Sequence, residues 1–127
     1  MANTIDKRPP VAVGHVSLPV KNVLATSAFL QELGLRKIFE KDTFAVLELR
    51  GGTHLILEKS RIRTKPGTQA PVDFMVDDVK KARLEYAKMG MKPTRIKSGN
   101  IHSSFIIPGP DEWSFKITSS HTSGRPV

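Results

Sequence analysis

The chain of 127 residues contains no cysteine, which removes disulfides, thiolate metal sites and thiol nucleophiles together. Any chemistry it performs must use histidine, carboxylate, lysine or hydroxyl groups. It has one Trp and one Tyr, and aromatic residues make up 6%, too little material for a platform on which nucleic-acid bases stack. No apolar run approaches the roughly 20 residues of a membrane-spanning helix, and MANTIDKRPP lacks the hydrophobic segment of a secretory signal. These absences lead us to expect a soluble, cytoplasmic protein that uses neither membrane nor nucleic acid.

Acidic residues are in the minority. Against 12 Asp and Glu stand 20 Lys and Arg, giving a net charge of +8. The basic residues are spread over Lys59, Arg61, Arg63 and Lys65, then Lys80, Lys81, Arg83 and Lys88, then Lys92, Arg95 and Lys97, so they read as solvated surface rather than as one phosphate-tracking patch. A positive field of this kind favours a small anionic ligand.

What is present is a repeat. Moving the segment from Val16 forward by 56 residues places Val16, Val20, Val23 and Gly34 on Val72, Val76, Val79 and Gly90. Both halves then share one plan: an alternating strand, a polar cap (Asn22 or Asp78), an amphipathic helix, a stopping glycine and further extended runs. In the first half the spacing predicts a helix over 23–33, with Leu24, Ala28 and Leu30 as its apolar stripe. Strands follow near 36–40, 43–49 and 53–58, with Gly51-Gly52 as a hairpin turn. In the second half it predicts strand 72–76, a helix from Val79 to Met89, and strands near 91–97, 101–107 and 113–118. The fold class is α+β, two βαβββ modules at 11–59 and 70–118. A linker at 60–69, a flexible arm at 1–10 and a tail at 119–127 complete the chain.

Two βαβββ modules in under 130 residues, with GHVSLPV on the first strand, ELRGGTHLIL at the end of the first module and a PGPDEW turn before the last strand, resemble the vicinal oxygen chelate superfamily. That superfamily includes glyoxalase I, fosfomycin-resistance enzymes, methylmalonyl-CoA epimerase, extradiol dioxygenases and bleomycin-binding proteins. The resemblance covers roughly residues 11 to 118. It implies cupped mixed sheets around a central cavity, helices on the outside, and a homodimer.

The two-residue strand period tests this independently. If Val16, Leu18, Leu55, Leu57, Val72, Phe74, Phe105, Ile107, Trp113, Phe115 and Ile117 face the helices, the other face carries His15, Ser17, His54, Ile56, Glu58, Asp73, Met75, His102, Ser104, Ser114, Lys116 and Thr118. Three of the four histidines fall there. The family's metal sites take one ligand from each of four strands. Here the resemblance sets those positions at His15, Pro71, Ile56 and Lys116, and only the first has a free donor. His54 and Glu58 flank Ile56 by one strand period, about 6.6 to 6.8 Å, and a site shifted onto them would have to move as a whole. His15 and His54 are therefore the candidate metal ligands, and N/O donors without sulfur would admit zinc, iron, nickel or manganese.

The remaining candidates have distinct roles. His102 and Glu58 are candidate proton-transfer groups. His15, His54, Asp73, Lys116 and Arg50 are candidate substrate-binding residues. Asp73 is expected to form an ion pair with Lys116, and Glu48 with its neighbour Arg50. His121, beyond the last strand, reaches the cavity only if the tail folds back. Two functional readings follow. One is a glyoxalase- or dioxygenase-like enzyme acting on a small anionic molecule by isomerase, lyase or dioxygenase chemistry; the other is a non-catalytic binding protein that sequesters such a molecule. A bleomycin-binding version fits poorly, because a basic protein repels a cationic drug.

Overall fold

The computed structural model describes residues 5–122 and 124–126, so the first four residues of the arm, and Ser123 and Val127 of the tail, lie outside the described residues. The chain runs β1 (His15–Val20), α1 (Val23–Leu33), β2 (Arg36–Lys41), β3 (Phe44–Glu48), β4 (His54–Lys59), β5 (Thr68–Val76), α2 (Val79–Lys88), β6 (Lys97–Ser98), β7 (Ser103–Pro108) and β8 (Trp113–Ser119). The strands form two four-stranded sheets of one design, β1-β4-β3-β2 and β5-β8-β7-β6. In each, the first strand runs parallel to the last and the other pairs are antiparallel. The repeat in the sequence is therefore a repeat in topology, and the architecture is the expected pair of βαβββ modules. No helix among the described residues is long and apolar enough to cross a membrane.

Local chemistry explains the helix ends. Asn22 Oδ1 accepts from the Ala25 amide at 3.0 Å, and Asp78 Oδ1 accepts from Lys81 at 3.0 Å, so each module satisfies an orphan donor with a side-chain cap. Gly34 closes α1 at φ 128, in the region that a Cβ disfavours. The buried side of α1 differs from the expected stripe. Leu24 and Ala28 are exposed, and Val23, Thr26, Ser27, Leu30 and Leu33 are buried. Small hydroxyl residues let the helix sit close to its sheet, and Ser27 Oγ donates to Glu40 Oε2 at 2.5 Å.

Two strands also differ from the expectation. The strand expected at 91–97 reduces to Lys97–Ser98. Lys92 turns to φ 57 and Pro93 has no amide to donate, which breaks the extended run before it can pair. The strand expected from Val72 begins earlier, at Thr68, so Thr68 and Gln69 leave the linker for the ladder beside β8.

Both modules share one core, and the PGPDEW turn locks them together. Asp111 Oδ2 accepts from the amides of Lys21 (2.8 Å) and Asn22 (3.0 Å) at the entry to α1. Glu112 pairs with Lys21 and accepts from the Thr64 amide, and hydrogen bonding from Lys21 is the main cause holding its carboxyl below the usual range. Trp113 Nε1 donates to the Pro19 carbonyl at 2.6 Å. Gly109 is needed by close approach: a Cβ there would stand 2.8 Å from the Trp113 carbonyl oxygen and 2.9 Å from the Phe115 ring.

Tyr86 of α2 is buried, and its hydroxyl donates to the Leu33 carbonyl at the end of α1 at 2.8 Å. Burial, and then the charge of Glu85, push its phenol above the ordinary tyrosine value. Tyr86→Phe should cost about 1–2 kcal/mol, because the Leu33 carbonyl loses its partner. A group with a raised folded pKa stabilises fully below its unfolded value and loses that contribution as pH rises through the folded one. The stability difference between wild type and Tyr86→Phe, read from urea unfolding, should therefore hold at neutral pH and shrink above about pH 10.

Candidate functional site

Cross-strand register assembles the first group of candidate residues. His15 of β1 faces His54 of β4, His54 faces Glu48 of β3, and Glu48 faces Arg36 of β2, so one row crosses the whole first sheet on one face. The side chains are joined. The His15 and His54 rings stand edge to face with centroids 6.1 Å apart and planes at 67°. His54 Nε2 lies 3.2 Å from Glu48 Oε2, while the Arg36 guanidinium donates to Oε1 of the same carboxylate. Hydrogen bonding from Arg36, and then from His54, holds the Glu48 carboxyl below the usual glutamate range. A carboxylate only accepts, so Nε2 of His54 carries the proton and Nδ1 is left as the acceptor of the neutral ring.

Beside this row the face turns apolar. The next row is Ser17, Ile56, Val46 and Phe39, and the one beyond it is Pro19, Glu58 and Phe44. The Phe39 and Phe44 rings lie 6.1 Å apart. A cleft of about 240 Å³ opens at the row's far end, lined by Gly34, Arg36, Glu48, Leu49 and Arg50. Glu58 lies two rows from His54, at the exposed end of β4, and makes no contact with it. Glu48 pairs with Arg36 and not with Arg50, because β2 lies directly across from it. Arg50 reaches Asp77 at 3.3 Å, both side chains exposed.

The second group forms on the second sheet. His102, Ser104 and Lys116 line an open groove of about 400 Å³ with Lys97 and the loop of Ser98, Gly99, Asn100 and Ile101. Asp73 and Lys116 are register partners but make no ion pair; Asp73 accepts from Gln69 Nε2 at 3.3 Å instead. The tail does fold back, and the exposed His121 ring meets His102 at a centroid distance of 4.8 Å. Among the described residues, no hydrogen bond, ion pair or ring contact joins the His15 and His54 group to the His102 and Lys116 group. The sequence put all four on the cavity side of their strands, and the structure distributes them over two patches.

The donor set does not fit a resident metal. The positions that the resemblance sets for ligands hold Ile56, Lys116 and Pro71, and Pro71 falls in the irregular stretch of β5 between Gln69 and Asp73. Among the described residues no three His, Asp or Glu side chains gather to hold an ion, and His15 and His54 together fall one short of the three protein ligands that even an open zinc site uses. Protein purified without added metal should carry well under one tightly held ion per chain by elemental analysis. Stoichiometric zinc, nickel, iron or manganese surviving mild chelation would contradict this.

Paired βαβββ modules with this strand order define the vicinal oxygen chelate fold. No protein-family model matches the sequence, and no curated protein sequence does. Solved structures match over most of the chain. The chain is similar to lactoylglutathione lyase from Agrobacterium tumefaciens (TM-score 0.73, 18% identity, covering 92% of this chain and 99% of that one). It is also similar to a possible glyoxalase from Bacillus cereus (0.66, 20%, 84% and 96%). A member of the glyoxalase/bleomycin resistance/dioxygenase superfamily from Sphaerobacter thermophilus gives 0.70, 17%, 87% and 98%. At these identities the likeness is one of fold.

Proposed function

We propose that this is a glyoxalase- and dioxygenase-like protein of the proton-transfer kind, which binds a small oxyanionic molecule on the first sheet and moves a proton with His54. The observation that carries the reading is the row of Arg36, Glu48, His54 and His15. Imidazole is the side chain best suited to exchange a proton near neutrality, and a carboxylate on one ring nitrogen fixes which nitrogen is free to do so. His54 Nδ1 takes the proton from a carbon next to a carbonyl, and the electron pair moves onto the carbonyl oxygen as an enolate. A ring N–H of His15 and the hydroxyl of Ser17, in the neighbouring row, are the groups that hold that oxygen. Return of the proton to the same carbon or to another completes an epimerisation or isomerisation, with atoms and electrons balanced and no co-reactant. The half-buried Ile56, Val46 and Phe44 give the substrate an apolar surface beside the row.

The test is carbon-bound hydrogen exchange. A panel of small enolisable 2-oxo acids, beginning with pyruvate, is incubated with the protein in deuterium oxide and followed by proton NMR. The reading requires deuterium incorporation above the buffer rate for at least one member, lost in His54→Ala. Exchange at the buffer rate across the panel, or exchange that survives His54→Ala, would overturn it.

A further inference from the structure

The groove on the second sheet has its own chemistry, which the His54 reading does not use. Lys116 projects from β8 in a half-buried setting, and the one carboxylate opposite it in register, Asp73, is taken by Gln69. Among the described residues Lys116 has no ion-pair partner. A partly desolvated ammonium without a counter-charge is costly, so the position is stabilised by any anion that arrives. Lys97 is the cross-strand partner of Ser104, and Ser104 sits one strand period from Ile106, the partner of Lys116, so both cations and the hydroxyl share one face.

A further observation supports a polar ligand at this groove. Nδ1 of His102, a residue that lines the groove, is buried and has no hydrogen-bond partner among the described residues. Buried polar atoms are nearly always satisfied, so an unpaired ring nitrogen on a groove-lining residue is an exception that calls for a reason. Among the described residues no carboxylate lines the groove. Its volume of about 400 Å³ lies within the roughly 300–1,000 Å³ of small-molecule sites, and the exposed Ile101 gives an apolar wall at its rim.

We propose that this groove is an oxyanion site in its own right and takes a phosphate monoester. Two ammonium groups balance the charge of about −1.5 to −2 that a monoester carries at pH 7, and Ser104 and His102 supply neutral hydrogen bonds to its oxygens. A monocarboxylate leaves one lysine unmatched. The organic part lies along Ile101 and Asn100.

The experiment is calorimetric titration of the full chain with inorganic phosphate, glycerol 3-phosphate and glycerol, at two salt concentrations. Phosphate and glycerol 3-phosphate should bind and glycerol should not, with affinity falling as salt rises. Lys116→Gln and Lys97→Gln should each weaken binding at least about tenfold, the arithmetic of one lost charge-assisted contact. Lys80→Gln on the outer helix and His54→Ala should leave it unchanged. The ring resonances of His102 and His121 should move on titration, and unchanged thermal midpoints would show that the variants remain folded. Absence of binding at millimolar phosphate would overturn the proposal. So would equal weakening by Lys80→Gln, which would mean a general field and no site. Weakening by His54→Ala would merge the two patches into one and overturn the independence claimed for this groove, while phosphate binding that persists in a protein showing no carbon-hydrogen exchange would leave this site standing and the His54 reading refuted.

Discussion

Phe115→Ala is expected to destabilise the protein by about 3–5 kcal/mol, the range for deleting a fully buried aromatic side chain. Phe115 is inaccessible to solvent. Its ring stacks on Phe74 at 5.7 Å with planes 12° apart, and it also meets Phe29 of α1 at 5.6 Å. The loss therefore spans both modules: Phe74 and Phe115 belong to the second sheet, and Phe29 to the helix of the first. Against a typical total of about 5–15 kcal/mol, a cavity at this joint removes a large share of the stability. Urea unfolding at neutral pH measures it, with Ile101→Ala as the comparison. Ile101 is 83% exposed and should change stability by less than about 0.5 kcal/mol. A Phe115→Ala cost under 1 kcal/mol would show that the modules do not share a core here.

The second large effect is on proton transfer. His54→Ala should lower carbon-hydrogen exchange by about 10²–10⁴-fold, the contribution of one positioned acid-base group. Glu48→Gln should lower it less, because the ring remains but loses the acceptor that fixes its tautomer, and Arg36→Met less again, because Arg36 acts only through Glu48. The hydrogen bonds from Arg36 and His54 keep the Glu48 carboxylate ionised well into acid, so its orienting role persists across the neutral range. A Glu48→Gln variant with wild-type exchange would separate the row from the chemistry.

The paired modules, both helix caps and the inward face of most strands were legible in the sequence, because each depends on short-range patterns: Asn22 and Asp78 before helical runs, Gly34 after one, and alternation from Val16 to Leu18 or Phe105 to Ile107. Features that depend on which strand lies beside which were not. The bond between Glu48 and Arg36 requires the register of β2 on β3, which passes through an irregularity between Lys37 and Phe39. The side that α1 buries was misjudged because Thr26 and Ser27 pack by smallness, which a hydrophobic pattern does not register. Strand alternation put His15, His54, His102 and Lys116 on one face of their expected strands, although β7 begins only at Ser103 and leaves His102 in the loop before it. It carried no information on their separation into a row on one sheet and a groove on the other. Asp111 and Glu112 stood out in the sequence only as turn residues, and their bonds to Lys21, Asn22 and Thr64 exist only once the modules have docked.

On the proposed reading Arg36 and Glu48 hold His54 with its Nε2 protonated and its Nδ1 free to act as a base. Long-range proton–nitrogen correlation NMR on protein labelled with nitrogen-15 reads the tautomer of each histidine ring directly. Neutral His54 should carry its proton on Nε2, and Glu48→Gln should weaken this preference. A His54 ring protonated on Nδ1 in the wild-type protein, or one whose tautomer is indifferent to Glu48, would contradict it.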